Sequence, residues 1–169
     1  MTLPPSGSKV PERRQCVRTG PSLQALFFSV PQVQLCLPLE HVQKVLAIPA
    51  LQEVPEAPMH VMGLLNLSGM VLPVVDLCVL LKRPTFRYTV DTPVLLCTSN
   101  GRRCGVVVQA VSGVGQIENT QRRMDDVVRD GRAPFLTVFE GSAGLVFMLD
   151  LDLVCDGLQL DMALAAGTE

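Results

Sequence analysis

Residues Gly63–Leu81 (GLLNLSGMVLPVVDLCVLL) are almost continuously apolar, and the way that run is broken limits what the chain can become. With Val61 and Met62 it approaches the length of a membrane-spanning helix, but it carries Asn66, Ser68, Pro73 and Asp76 together with Gly63 and Gly69. A helix in lipid tolerates such a set poorly. The Ser68-Gly69 pair reads instead as a turn between two strand-length runs, Gly63–Leu67 and Met70–Val75. Asp76 then precedes the apolar run Leu77–Leu81. An Asp in that position is a good helix N-cap, because its carboxylate accepts from the unpaired amides of the first turn. The unit is therefore strand, turn, strand, Asp cap, helical run.

Composition supports a strand-rich fold. The chain of 169 residues is 48% hydrophobic but only 4% aromatic, with no Trp and seven Met. Most of the apolar content is Val and Leu, and β-branched side chains suit the pleated surface. The scarcity of rings excludes sugar-stacking and single-strand nucleic-acid platforms. A net charge of −2 and a pI of 5.7 exclude an electrostatic nucleic-acid binder, and give no attraction to an anionic membrane. Met1–Gln15 lacks the apolar core of a secretory signal. Residues 1–21, rich in Pro, Ser and charge, read as a flexible tail.

Strands are expected at Leu23–Val30 and, after a Pro31-Gln32 turn, at Gln32–Leu37. There Val33, Leu35 and Leu37 alternate with Gln32, Gln34 and Cys36, the mark of a half-buried strand. Leu39, Val42 and Val45 recur at helical spacing, Pro49–Pro58 forms a loop, and Met59–Met62 reads as a short helix. A polar crossover at Lys82–Thr92 leads to Val94–Ser99, the hairpin signal Asn100-Gly101, and the returning strand Arg103–Val111. Ser112–Gly115 suggests a bend or bulge, and a helical turn is expected near Met124–Val128. Phe135–Phe139 and Leu145–Leu149 flank a Gly141–Gly144 turn, followed by Asp150 and another apolar helical run. Val71-Leu72-Pro73-Val74-Val75-Asp76-Leu77 and Leu145-Val146-Phe147-Met148-Leu149-Asp150-Leu151 echo each other. Two related small barrels result, the first over about residues 22–83 and the second over about 92–150, with a C-terminal helix at about 151–164 and a tail at 165–169. Units of roughly 65 residues bury only about 60% of their surface and must pack together.

Evidence for chemistry is thin. The six cysteines, Cys16, Cys36, Cys78, Cys97, Cys104 and Cys155, include no Cys-x-x-Cys pair, so no zinc site and no metal or other cofactor is expected. They read as reduced thiols, although Cys97 and Cys104 flank a tight turn and face each other across the predicted hairpin. Gly113-Val114-Gly115 lacks a third glycine and opens no helix, so it is not a dinucleotide fingerprint. His41 and His60 are the only histidines. His41 is expected on the surface and His60 beside a loop, and neither suggests a triad. Asp76 and Asp150 are structural caps, with Asp152 a first-turn neighbour favoured by the helix dipole. Asp125-Asp126 is a carboxylate pair of the kind that does acid–base work only where the two environments differ, and it too is read as structural. Arg102-Arg103 and Arg122-Arg123 are a solvated face, or a rim of charge that steers a protein partner. The expected class is a non-enzymatic binding module whose asset is apolar surface.

Several stretches, in order, resemble the CheW-like domain family of bacterial chemosensory systems. They are Leu26-Phe27-Phe28, Leu37-Pro38-Leu39 with Val42-Gln43-Lys44-Val45, Val54-Pro55 with Ala57-Pro58, Gly63-Leu64-Leu65-Asn66-Leu67-Ser68-Gly69, Leu72-Pro73-Val74-Val75-Asp76-Leu77, Gly105-Val106-Val107-Val108 with Val111, and Leu149-Asp150-Leu151. The resemblance covers about residues 22–156. It implies a mainly β fold of two five-stranded SH3-like barrel subdomains with short helices, in a domain over residues 22–160. It also implies an adaptor without catalytic residues, which couples the cytoplasmic tips of methyl-accepting chemoreceptors to the regulatory domain of a CheA-type histidine kinase. Other CheW-like domains are further implied partners, and the location is cytoplasmic, in receptor arrays at the inner face of the membrane without insertion. Receptor binding would fall on Val42, Lys44, Val45, Gly63 and Asn66.

Two departures from the family pattern stand out. Ser68 occupies a turn position where the family usually has Arg, and Gln109 stands where the second half usually has Asp. Arg offers five donors in a fixed fork and Ser one hydroxyl, so partner contacts at that turn should weaken. The alternative reading is a divergent modulator that binds one partner only, or serves a pilus-motility or other signalling system.

Overall fold

The computed structural model describes residues 22–118, 133–156 and 158. Ten strands among them are β1 (Leu23–Val30), β2 (Val33–Pro38), β3 (Val42–Ala47), β4 (Val61–Leu67), β5 (Met70–Asp76), β6 (Pro93–Ser99), β7 (Arg102–Val107), β8 (Ala110–Ile117), β9 (Phe135–Gly141) and β10 (Gly144–Leu149). A 3-10 turn covers Leu39–His41, α1 covers Leu77–Leu80, and residues 151–156 are helical. The strands form two five-stranded sheets, in the orders β8-β1-β2-β10-β9 (sheet A) and β3-β6-β7-β5-β4 (sheet B).

Those orders correct the expected division into barrels at 22–83 and 92–150. Sheet B is contiguous in sequence from β3 to β7, whereas sheet A joins β1 and β2 to β8, β9 and β10. The echo between the halves survives in another form. Taking β1–β5 and β6–β10 as two repeats, each sheet takes the opening hairpin of one repeat and the last three strands of the other. The equivalences extend to register. β2 runs parallel to β10 and β7 parallel to β5. The pairs β1–β8 and β6–β3 each contain a register shift, as do β9–β10 and β4–β5. Because each sheet needs strands from both repeats, neither repeat completes a sheet alone.

The core follows from this exchange. Leu26, Phe28, Leu35 and Leu37 of sheet A meet Val75, Leu95, Cys97, Cys104 and Val106 of sheet B, with Leu77, Leu151, Val154 and Leu158 sealing the layer. Each sheet also has an inner cluster on its other face: Ala25, Cys36, Phe139 and Met148 in sheet A, and Leu65, Leu72, Val74 and Val94 in sheet B. The strands β2, β6 and β7 are thus covered on both faces, which explains their near-continuous apolar runs. It also corrects the half-buried reading of β2, since Cys36 is 0% exposed.

Local signals hold at most boundaries. Ser68 and Gly69 both have positive φ, 52° and 84°, as do Asn100 and Gly101, 51° and 76°. Two such residues in succession form the turn whose twist matches a hairpin. The expected bend at Ser112–Gly115 is a bulge, where the β1–β8 register skips Ser112. The helix expected at Met59–Met62 is absent: residues 59 and 60 form a turn, and β4 begins at Val61. The helical turn near Leu39 lasts only three residues before β3 takes over. The tails, the turn near Met124–Val128, the pairs Arg122-Arg123 and Asp125-Asp126, Cys16 and most of the C-terminal helix beyond residue 158 lie outside the described residues.

Candidate functional site

The residues singled out for receptor binding occupy two strands of sheet B. Val42, Lys44 and Val45 lie on β3, where Lys44 and Val45 are exposed and Val42 is half-buried. Gly63 and Asn66 lie on β4. In hydrogen-bond order these strands are the two edges of the sheet, with β6, β7 and β5 between them. The first three residues are therefore gathered on one edge and the other two on the opposite edge.

Gly63 and Asn66 each have a structural task in addition. A Cβ on Gly63 would stand 2.6 Å from the Gln52 carbonyl oxygen and 3.1 Å from Leu51 Cβ. The 49–58 loop comes that close because Gln52 and Leu64 exchange backbone hydrogen bonds of 2.9 and 2.8 Å. Only glycine permits this approach. Asn66 Oδ1 accepts from the Gly69 amide at 3.1 Å, which fastens the Ser68-Gly69 turn.

That turn ends one apolar tip of the molecule. Met70 is 42% exposed and Val71 52%. Ser68 itself is exposed and offers no cation, but the Arg103 guanidinium of β7 lies against Met70 Sδ. In the equivalent hairpin of sheet A, β9–β10, Leu145 beside the turn is 45% exposed, and Leu136, at the far end of the hairpin, is 55% exposed. Leu145 is the echo of Val71, so both repeats expose an apolar residue at the same position. Gln109 is exposed, and its backbone N–H donates to the Ser29 carbonyl at 2.8 Å, which ties the β7–β8 link to β1.

The two aspartate caps behave differently. Asp76 is buried: its Oδ1 accepts from Cys78 N at 2.9 Å and Val79 N at 3.4 Å, and its Oδ2 accepts the Tyr88 hydroxyl. Burial, then the Asp76 hydrogen bond, raises the Tyr88 hydroxyl above the ordinary tyrosine range, so it remains a donor. Asp150 is half-buried, and its Oδ1 accepts from Leu153 N at 3.2 Å. Tyr88 carried no sequence signal, since nothing local links the crossover to a cap twelve residues earlier.

Polar contacts also tie the second helix to the β6–β7 hairpin. Asp152 accepts from Ser99 Oγ at 2.6 Å, Asn100 Nδ2 at 3.0 Å and Arg102 Nη2 at 3.3 Å, and Arg102 also pairs with Asp156. The Ser99 hydrogen bond and the Arg102 charge hold the Asp152 carboxyl below its ordinary range. Arg102 and Arg103 are thus not one charged rim: Arg102 is an internal clamp and Arg103 faces outward. His41, expected at the surface, is half-buried and its Nδ1 lies 3.1 Å from the Thr98 carbonyl oxygen. Among the described residues no group of His, Cys, Asp and Glu converges to hold a metal ion.

The comparisons with known proteins agree on one lineage. A family model described as the CheW-like domain matches residues 24–158. Protein FrzA of Myxococcus xanthus is 30% identical over 107 residues, which is 63% of this chain and 67% of its own length. The chemotaxis protein CheW of Rhizobium meliloti (strain 1021) is 25% identical over 140 residues, 80% of this chain and 89% of its own. The crystal structure of the scaffolding protein TtCheW from Thermoanaerobacter tengcongensis shares the fold, with a TM-score of 0.68 and 22% identity over 76% of this chain and 88% of that one. With the family model spanning both repeats and both sheets, the chain belongs to the CheW-like domain family.

Proposed function

We propose that this protein is a non-enzymatic adaptor that couples the cytoplasmic tips of chemoreceptors to a CheA-type histidine kinase in a chemosensory array. The observation that carries the reading is the pair of equivalent exposed apolar positions beside the two hairpin turns, Val71 with Met70 on sheet B and Leu145 on sheet A. One such position on each sheet of an interlocked body suits a bridge between two partners, because neither must open the core to bind. Relatives named as a chemotaxis protein and a scaffolding protein support the same role. No helix among the described residues is long and apolar enough to cross a membrane, so attachment to an array at the inner face of the membrane would run through protein contacts. The Val42, Lys44, Val45 edge is the proposed receptor contact, and the kinase regulatory domain or another CheW-like domain would take a tip.

Calorimetric titration of the full chain against a receptor-tip fragment and against the kinase regulatory domain tests this. Dissociation constants in the micromolar range are expected for both, in keeping with a transient interface. Heats indistinguishable from dilution with both would sink the reading.

Ser68 favours a second reading, a modulator that engages one partner or serves a pilus-motility or other signalling system. An Arg at this exposed turn would restore a forked donor beside Met70. Ser68→Arg is expected to tighten binding to the weaker partner several-fold; unchanged or weaker affinity would mean that docking uses another surface.

A further inference from the structure

Three buried thiols meet where the second helix packs on sheet B. Cys97 and Cys104 are direct partners across the β6–β7 hairpin, as their spacing about Asn100-Gly101 implied. Yet the sulfur facing Cys104 belongs to Cys155, 3.5 Å away on the helix and 51 residues distant in sequence. Cys97 turns to its own strand, with its Sγ 3.6 Å from the Leu95 carbonyl oxygen. All three are 1–2% exposed.

The periods of strand and helix hold the pair in place. Arg102 and Cys104 are two apart on β7, and so share a face. Asp152 and Cys155, three apart, share a face of the helix, and Asp156 follows one position on. The Arg102–Asp152–Asp156 clamp therefore presses the helix down over Cys104 and sets Cys155 against it. A disulfide is about 2.05 Å long, so the sulfurs need approach by only about 1.5 Å.

We propose that Cys104 and Cys155 are a redox site, oxidised by a hydroperoxide to a reversible disulfide that locks the helix following sheet A onto sheet B. Cys155 is the attacking thiol. The hydrogen bond from Cys104 and the charge of Arg102 favour its thiolate against the effect of burial, whereas the Cys104 thiol is pushed up. The thiolate attacks one peroxide oxygen, the O–O bond breaks, and the departing hydroxide takes a proton, leaving Cys155 as a sulfenic acid. Cys104 then loses its proton and attacks that sulfur; the S–O bond breaks and water leaves. Two thiols lose two electrons and two protons, and one hydrogen peroxide becomes two waters. Thiol exchange with an external dithiol reverses the bond. The helix meets solvent at Leu153 and at Asp156, so local opening of this single layer admits a small oxidant. Cys36, by contrast, lies in the inner cluster of sheet A, and burial pushes its thiol up to about 12.

The full chain is treated with graded hydrogen peroxide, alkylated and mapped by mass spectrometry, and its thermal unfolding is followed with and without dithiothreitol. The expected result is one linked peptide pair joining Cys104 to Cys155, with a melting temperature raised by about 5–10 °C for so long a closed loop. Dithiothreitol should reverse both changes, and Cys97→Ala should keep both. The proposal is overturned if both thiols stay alkylatable throughout, if the bond joins Cys97 to Cys104, if Cys155 proceeds to sulfinic acid instead, or if Cys155→Ala keeps the peroxide-induced rise. Mapping of the wild-type chain decides the matter even if a variant does not fold.

Discussion

Replacing Asp76 with Ala removes a single carboxylate that joins three elements. One oxygen caps α1 and the other receives the Tyr88 hydroxyl from the crossover. A lost cap costs about 1 kcal/mol, in a range of roughly 0.5–2. A lost hydrogen bond to a charged group costs about 1.5–3 kcal/mol, the more so because the Tyr88 hydroxyl is left facing a partly buried site without its acceptor. The sum is about 3 kcal/mol, which at 2–4 °C per kcal/mol lowers the melting temperature of a chain this size by roughly 6–12 °C. Asp150→Ala is the internal control. It removes the equivalent cap at a half-buried site whose carboxylate bonds to the Leu153 amide, and should cost only about 0.5–1 kcal/mol. Urea unfolding followed by far-ultraviolet circular dichroism is the suitable assay, since the chain has no Trp and one Tyr. A cycle of Asp76→Ala, Tyr88→Phe and the double variant should show coupling above about 1 kcal/mol, as expected for groups in contact. A loss at Asp76 no larger than at Asp150, or a cycle that closes without coupling, would refute the reasoning.

Two more consequences concern the loop and the clamp. Gly63→Ala should cost about 1–3 kcal/mol, because the new methyl meets the Gln52 backbone and not a side chain that can move aside. Limited proteolysis should then cut within residues 49–58, and an unaltered digest with an unaltered midpoint would show that the loop yields freely. At Asp152 the folded pKa lies below the unfolded value near 3.8, so between the two the unfolded state binds more protons. Its contribution is complete above the unfolded value and is lost as pH falls through the depressed folded one. Asp152→Asn should flatten that acid limb of stability measured by circular dichroism. A limb as steep as the wild type's would assign acid sensitivity to other carboxylates.

Much of the fold can be read from the chain because its signals are local. Strand periodicity, the turns at Ser68-Gly69 and Asn100-Gly101 and the Asp-Leu caps depend on residues within a few positions of one another. The same locality accounts for the failures. Met59–Met62 has helical spacing, but Val61 and Gly63 pair with β5 and Met62 is bulged between them, so tertiary pairing overrides propensity there.

The candidate site is legible in part. Family resemblance directs attention to Val42, Lys44, Val45, Gly63 and Asn66, whereas no local pattern singles out the exposed apolar residues Met70, Val71 and Leu145. Nothing in the local pattern distinguishes Arg102 from Arg103, although one is a clamp and the other faces solvent. That difference is set by Asp152 and Asp156, some fifty residues away.

The sequence by itself therefore determines eight of the ten strands in outline, their turns, the two caps and the repeat, whereas β3 reads as helical spacing and β8 only as a bend. Only the tertiary structure decides that β1 and β2 join β8, β9 and β10, that Cys36 is enclosed on the second face of its strand, and that Cys104 faces Cys155 while its cross-strand partner Cys97 turns away. The physical reason is the range of the interactions. Backbone preference and side-chain period act over one to four residues, whereas pairing and burial are settled by which distant apolar faces enclose one another at the least cost in loop closure.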